Sequence, residues 1–139
     1  YRRKRFILNR TTFPLVKHYC QIKKEIVDRA NILKSSYGLN EPYICLYFRG
    51  TDKKKEVREP AMRSYIEKLL PIATVNPSMP VLVQTDDERF VQFTKGKVAN
   101  EIVVDELRRS QSGQPLHYGS SLSGFESGVE SIVVMLLLA

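Results

Sequence analysis

The feature that most constrains the fold is an alternation of short apolar runs with longer amphipathic segments. Short runs made mainly of apolar residues occupy positions 43–48, 81–85 and 101–104, and the first of them is apolar or aromatic throughout. Runs of this length are typical of strands that are covered on both faces. Between and around them, apolar residues recur every three or four positions, which is typical of helices. The order helix, strand, helix, strand, helix, strand, loop, helix therefore predicts an α/β fold with a three-stranded parallel sheet and helices on both faces.

The predicted helices have recognisable ends. An apolar stripe at helical spacing begins at Leu15, and Gly38 lies just past its last apolar residue. A second helix follows Pro60, and Asp86 is positioned to cap a third. Residues 108–123 are rich in serine and glycine, which predicts a long loop, and the last helix starts near Phe125.

Chain length and charge limit the number of domains and the kinds of partner that the protein can have. The 139 residues suffice for a single domain, preceded by a basic segment at 1–13. Residues 1–60 carry a net charge of +9 and residues 61–139 a net charge of −2. The basic half suggests a polyanionic or phosphorylated partner, whereas charge alone favours a solvated surface with a basic tail. The longest apolar run, 132–139, is far shorter than the roughly 20 residues of a membrane span. Because the last helix is still apolar at residue 139, we expect the chain to be a fragment of a longer one.

Cysteine and histidine offer no metal site in the sequence. Cys20 and Cys45 allow at most one disulfide and do not have the spacing of zinc ligands. Both lie in apolar patterns, which favours buried free thiols over a disulfide. His18 lies beside the apolar stripe of the first helix, where a satisfied or exposed histidine is favoured over a ligand, and His117 has no cysteine or histidine partner. The glycines match neither a P-loop nor a dinucleotide fingerprint.

Two predicted strands end abruptly in polar residues. Arg49 and Gly50 follow the first strand, and Asp86 and Asp87 follow the second. The carboxyl ends of parallel strands meet at one edge of a sheet, where such folds bind ligands. A guanidinium there matches phosphate oxygens, and a carboxylate accepts from the N–H groups of a base or from ribose hydroxyls. The alternative is structural: Asp52 pairs with Arg49, and Asp86 merely caps the next helix.

Residues 46–53 read Leu-Tyr-Phe-Arg-Gly-Thr-Asp-Lys, a segment that resembles the His-x-Arg-x-Thr-Asp-Lys motif of the α1,6-fucosyltransferases. Nodulation and protein O-fucosyltransferases share a looser form of it. The resemblance extends to residues 83–87, where the family has Ala-Thr-Asp-Asp after a strand, and to the late apolar helix. It covers about residues 40–139.

The resemblance implies the nucleotide-binding, Rossmann-like half of a GT-B glycosyltransferase, an enzyme that moves fucose from GDP-fucose to a glycan hydroxyl with inversion and without a metal or cofactor. Carried over by position, Arg49 would hold the β-phosphate and Lys53 would assist the catalytic relay. Glu56 would be the general base. Asp86 or Asp87 would be the carboxylate that binds guanine.

The rest of the motif would belong to the nucleotide site, with three departures from the family pattern. Tyr47 stands where the family has a histidine that contacts the base, and Gly50 replaces the second arginine of the animal enzymes. Glu56 comes one residue early. Thr51 and Asp52 match the motif.

Two other functions remain open from the sequence. The first is a Rossmann-like nucleotide-binding module that is non-catalytic or has a different specificity. The second is a basic nucleic-acid-binding domain, although the chain has no helix-turn-helix, RNP aromatic pattern or zinc knuckle. Glu56 has a simpler interpretation as well, because it can neutralise the lysines at 53–55 on a solvated loop. We expect a GDP-sugar and a glycan as partners, with no nucleic acid and no membrane contact from this segment.

Overall fold

The computed structural model describes residues 21–51, 62–116 and 123–139. Within these ranges four helices and three strands alternate along the chain, as the sequence predicts. The elements are α1 (Lys24–Ser36), β1 (Ile44–Phe48), α2 (Met62–Val75), β2 (Val81–Thr85), α3 (Glu88–Thr94), β3 (Glu101–Ile102) and α4 (Gly124–Leu137).

The strands form one sheet in the order β1-β2-β3, and both pairs are parallel. Ile44 lies opposite Val81 at the start of the first pair, and Phe48 lies opposite Thr85 at its end. The carboxyl ends of β1 and β2 are therefore level with each other. All five residues of the central strand, β2, are buried. The predicted parallel α/β fold is confirmed.

Helices cover both faces of the sheet because side chains of a strand alternate between its faces. Leu82 of β2 packs in an apolar cluster with residues of α1 and α4. Its neighbours Val81 and Val83 pack in a second cluster with residues of α2 and α3. In that second cluster the ring of Phe48 stacks on Phe90, with 4.2 Å between the centroids. Such an aromatic pair adds about 0.5–1.5 kcal/mol to the stability that burial provides.

Helix α1 is shorter than the predicted helix. It begins at Lys24, because Lys23 has a ψ of 139°, which is outside the helical region. Residues 21–23 are not helical and Ile22 is 43% exposed, so the predicted continuous helix from Leu15 is wrong there. Leu15 itself lies outside the described residues. The other end is as predicted: Gly38 has a φ of 68° and completes the hydrogen-bond pattern of a Schellman motif.

Two strand predictions need correction. Strand β1 is not covered on both faces, because Cys45 and Tyr47 are exposed at this end strand of the described sheet. The predicted buried thiol at Cys45 is therefore wrong; Cys20 lies outside the described residues.

The third predicted strand, 101–104, is shorter in the structure. It pairs with β2 only over β3, since the chain leaves the sheet after Ile102. Val104 is nevertheless fully buried in the α1 and α4 cluster.

Candidate functional site

A cavity of about 430 Å³ opens at the carboxyl ends of β1 and β2, beside α4. Four residues that the sequence analysis singled out line it together: Tyr47, Arg49, Thr51 and Asp86. They come from the last residues of β1, the turn after it and the first residue after β2. The level ends of the two parallel strands bring them to one place. The predicted meeting of the two strand ends is confirmed.

Asp86 connects the two turns. Its Oδ1 accepts a hydrogen bond from the backbone N–H of Gly50 at 2.7 Å, and its Oδ2 accepts from the Thr51 hydroxyl at 2.5 Å. Thr51 is 93% buried. Hydrogen bonds to an ionised acceptor are about twice as strong as neutral ones. The carboxylate therefore connects the turn after β1 to the turn after β2, and each of its oxygens already accepts one hydrogen bond.

Gly50 is required at this turn by close packing. A Cβ atom built on it would lie 2.4 Å from Cε1 of Phe48 and 2.8 Å from Oδ2 of Asp87. No side chain fits in that space without displacing the aromatic core or the carboxylate. The family's second arginine could not be accommodated here with this backbone.

Asp87 has a structural position. It is fully buried, and it is Asp87 rather than Asp86 that caps α3, accepting from the backbone N–H of Arg89 at 3.1 Å. The prediction that Asp86 is the cap is wrong by one residue. The guanidinium of Arg89 also donates to both oxygens of Asp87, at 2.8 and 2.5 Å. Asp87 does not line the cavity, so of the two predicted carboxylates Asp86 is the one at the site.

A buried ion pair in the cavity wall was not predicted. Glu130 of α4 is 91% buried, and its Oε2 accepts from Nε of Arg108 at 2.5 Å. Its Oε1 accepts from the backbone N–H of Arg108 at 2.7 Å. Both residues line the cavity, so a second guanidinium is present there besides Arg49. The signal in the sequence was the position of Glu130, which shares a helix face with the buried Val133 and Leu137.

The segment after β3 runs beside the turn after β2. Ser110 donates its N–H to the carbonyl of Asp86 at 2.8 Å and accepts at its carbonyl from the N–H of Glu88 at 3.0 Å. Arg109 adds an ion pair to Glu88 at 2.7 Å. Hydrogen bonds from Gln92 and then from Arg109 hold the pKa of Glu88 below its usual value. These contacts hold the Arg108 segment against the site.

Gln84 of β2 was not predicted as a site residue either. It lies just before the polar turn that follows the strand. It is 95% buried, lines the cavity and lies directly opposite Tyr47 in the parallel pair. From the sequence alone, Gln84 was predicted only as a residue of a buried strand.

Three residues of the predicted site, Asp52, Lys53 and Glu56, lie outside the described residues, so their roles stay predictions. The alternative pairing of Asp52 with Arg49 stays open for the same reason. In the described ranges no three His, Cys, Asp or Glu side chains cluster as metal ligands would.

The described helices include none with the length and apolar character to cross a bilayer.

Comparison of the chain with models of protein families, with curated proteins and with solved structures finds no match in any of the three.

Proposed function

We propose that the protein is the nucleotide-binding part of a GT-B glycosyltransferase, related to the α1,6-fucosyltransferases, that transfers fucose from GDP-fucose to a hydroxyl of a glycan. One observation carries the proposal. Tyr47, Arg49, Thr51 and Asp86, which belong to the two segments of the family resemblance, line one cavity at the carboxyl ends of neighbouring parallel strands.

The place and size of the cavity support a nucleotide ligand. Open parallel sheets bind ligands beyond the carboxyl ends of their strands. A cavity of about 430 Å³ is within the usual range for small-molecule sites, roughly 300–1,000 Å³. Its wall combines guanidinium groups of Arg49 and Arg108 with apolar residues of α4, namely Val134 and Met135. Cations suit a diphosphate, and the apolar surface suits a base.

The proposed chemistry assigns a role to each charged group. Sugar transfer passes through an oxocarbenium-like state while negative charge grows on the departing diphosphate. A positioned guanidinium at Arg49 stabilises that charge more in the transition state than in the ground state. Glu56 takes the proton of the acceptor hydroxyl, and Lys53 assists. A single attack from the face opposite the nucleotide inverts the anomeric centre, so no covalent enzyme intermediate forms.

Calorimetry of GDP binding to the full-length protein tests the nucleotide site. Arg49→Ala removes the diphosphate contact, and we expect the affinity to fall about 100-fold, which is about 2.7 kcal/mol. Arg49→Lys keeps the charge but loses the two-pronged fork, so most of the loss remains. The matched control is Arg63→Ala on α2, whose side chain is 84% exposed and pairs with Glu67. Unchanged GDP affinity in Arg49→Ala would refute the assignment.

Steady-state kinetics of Glu56→Gln test the catalytic assignment. The amide keeps the shape of the carboxylate and cannot take a proton, so kcat falls by roughly 100-fold or more while GDP-sugar binding stays near normal. Turnover close to wild type would leave Glu59 as the next candidate. GDP binding by a wild-type protein that transfers no sugar to any acceptor would favour the non-catalytic nucleotide-binding module instead.

A further inference from the structure

The buried amide of Gln84 faces the cavity. Residues of a strand alternate between the two faces of a sheet, so Gln84 shares its face with Leu82, which packs against α4. The cavity lies on that side, between the sheet and α4. Gln84 is 95% buried, and the half-exposed ring of Tyr47 lies beside it on the neighbouring strand.

The side-chain amide of Gln84 has no hydrogen-bond partner among residues 21–51, 62–116 and 123–139. Its neighbours differ in this respect. Thr85 accepts at its hydroxyl from the backbone N–H of Asp87, and Asp86 accepts from Gly50 and Thr51. Nearly all buried polar side chains in folded proteins are hydrogen-bonded. A buried amide that faces a cavity therefore points to a ligand that provides the partner.

We propose that the side-chain amide of Gln84 binds the hydrogen-bonding edge of the nucleobase, with the ring of Tyr47 against the base. This rests on the proposed nucleotide site. A planar amide offers a donor and an acceptor side by side, which matches a base edge that carries an acceptor beside a donor. A single sugar hydroxyl matches that pair less well. The resemblance offers Asp86 or Asp87 as the carboxylate for guanine; Asp86, the one that lines the cavity, already accepts a hydrogen bond at each oxygen.

The amide also sets which bases fit. It can pair with the O6 and N1–H of guanine, with the N6–H and N1 of adenine, and with the O4 and N3–H of uracil, since each of these edges has one donor and one acceptor. A carboxylate only accepts, so it pairs with the N1–H and N2–H groups of guanine and with no such pair on adenine or uracil. Gln84 therefore determines the base specificity of the site: its amide permits guanine, adenine and uracil, whereas a carboxylate in its place would select guanine.

The test measures binding of GDP, ADP, UDP and inorganic pyrophosphate to the full-length protein and to two variants. Gln84→Met has a similar length and no amide, and we expect it to weaken each nucleoside diphosphate about tenfold while pyrophosphate binding is unchanged. Gln84→Glu keeps an acceptor only, so ADP and UDP weaken at least tenfold more than GDP. Gln92→Met, an exposed glutamine of α3, is the matched control and leaves all four affinities unchanged.

The outcomes separate this inference from the proposed function. If neither pyrophosphate nor any nucleoside diphosphate binds the wild type, the nucleotide site itself is wrong. If nucleoside diphosphates bind and Gln84→Met binds them as tightly as wild type, or weakens pyrophosphate equally, the role of Gln84 alone is overturned. A readout that needs no variant is the NMR signal of the Gln84 side-chain NH₂, which shifts on addition of GDP and not of pyrophosphate. The absence of a GDP-specific shift would contradict the contact.

Discussion

Replacing Asp87 with alanine removes the cap of α3 together with a buried ion pair. The carboxylate is fully buried, and it accepts from the backbone N–H and from two guanidinium nitrogens of Arg89. Loss of an N-cap costs about 1 kcal/mol. Removing one member of a fully buried ion pair costs about 3–5 kcal/mol, because the other charge stays buried and unpaired. The Arg89 side chain is 46% exposed and can be hydrated when Asp87 is removed, so we assign about 1 kcal/mol to the loss of this ion pair.

We therefore expect Asp87→Ala to lower the free energy of unfolding by about 2 kcal/mol, which is about 6–8 °C in Tm for a chain of this size. Asp87→Asn separates the two contributions, because asparagine is as good an N-cap as aspartate but has no charge. It is expected to lose about half as much. Urea unfolding followed by circular dichroism, with an unchanged slope, measures both values.

The matched control is Asp105→Ala, whose side chain is 81% exposed and accepts one hydrogen bond from Arg109. Changes at such surface positions stay within about 0.5 kcal/mol. The reasoning would be refuted if Asp87→Ala lost no more than this control. If Asp87→Asn lost as much as Asp87→Ala, the capping contribution would be wrong and the ion pair would account for the whole effect.

Three further changes have expected outcomes in unfolding experiments. Gly50→Ala is expected to cost about 1–3 kcal/mol because the new Cβ would overlap Phe48; an unchanged Tm would contradict this packing. Arg108→Met leaves the buried carboxylate of Glu130 unpaired and is expected to lower the free energy of unfolding by about 3–5 kcal/mol. The double variant Arg108→Met with Glu130→Leu is expected to recover most of that loss, and an equal loss in the single and double variants would argue against the ion pair. Glu88 has a lowered pKa in the folded state, so its contribution is present above the unfolded-state pKa and is lost as pH falls through the folded-state pKa. The stability difference between wild type and Glu88→Gln should therefore shrink as the pH falls below about 4.5, the ordinary pKa of a glutamate, and a constant difference would contradict it.

The fold could be predicted from the sequence where local pattern and tertiary packing agree. Strand β2 begins with three apolar residues and is buried along its whole length, because it is the central strand. Gly38 marks the end of α1 because a left-handed residue closes that helix. The burial of β1 could not be predicted in the same way. Its sequence is at least as apolar as that of β2, but exposure of Cys45 and Tyr47 depends on which strand lies at the end of the sheet.

The site was predicted only at the carboxyl ends of β1 and β2, where each strand passes into a polar turn. Asp86 and Asp87 are equivalent in the sequence, and the strand register and the start of α3 decide that one faces the cavity while the other caps the helix. Gln84 and the pair of Arg108 with Glu130 became visible only with side-chain burial. Glu130 is more than 20 residues from its partner, a separation over which no spacing rule relates two charges.

The hydrogen bonds of Asp86 affect the entropy of ligand binding. Because one carboxylate holds both Gly50 and Thr51, the turn after β1 and the turn after β2 form a single preformed rim of the cavity. Ordering a free side chain on binding costs about 0.5–1.5 kcal/mol, and a free backbone residue costs about 1–2 kcal/mol. The residues of this rim are already ordered when the protein is folded, so ligand binding does not carry this entropic cost. Binding at the proposed site therefore depends on the integrity of the Asp86 side chain, through the rim that it holds in place.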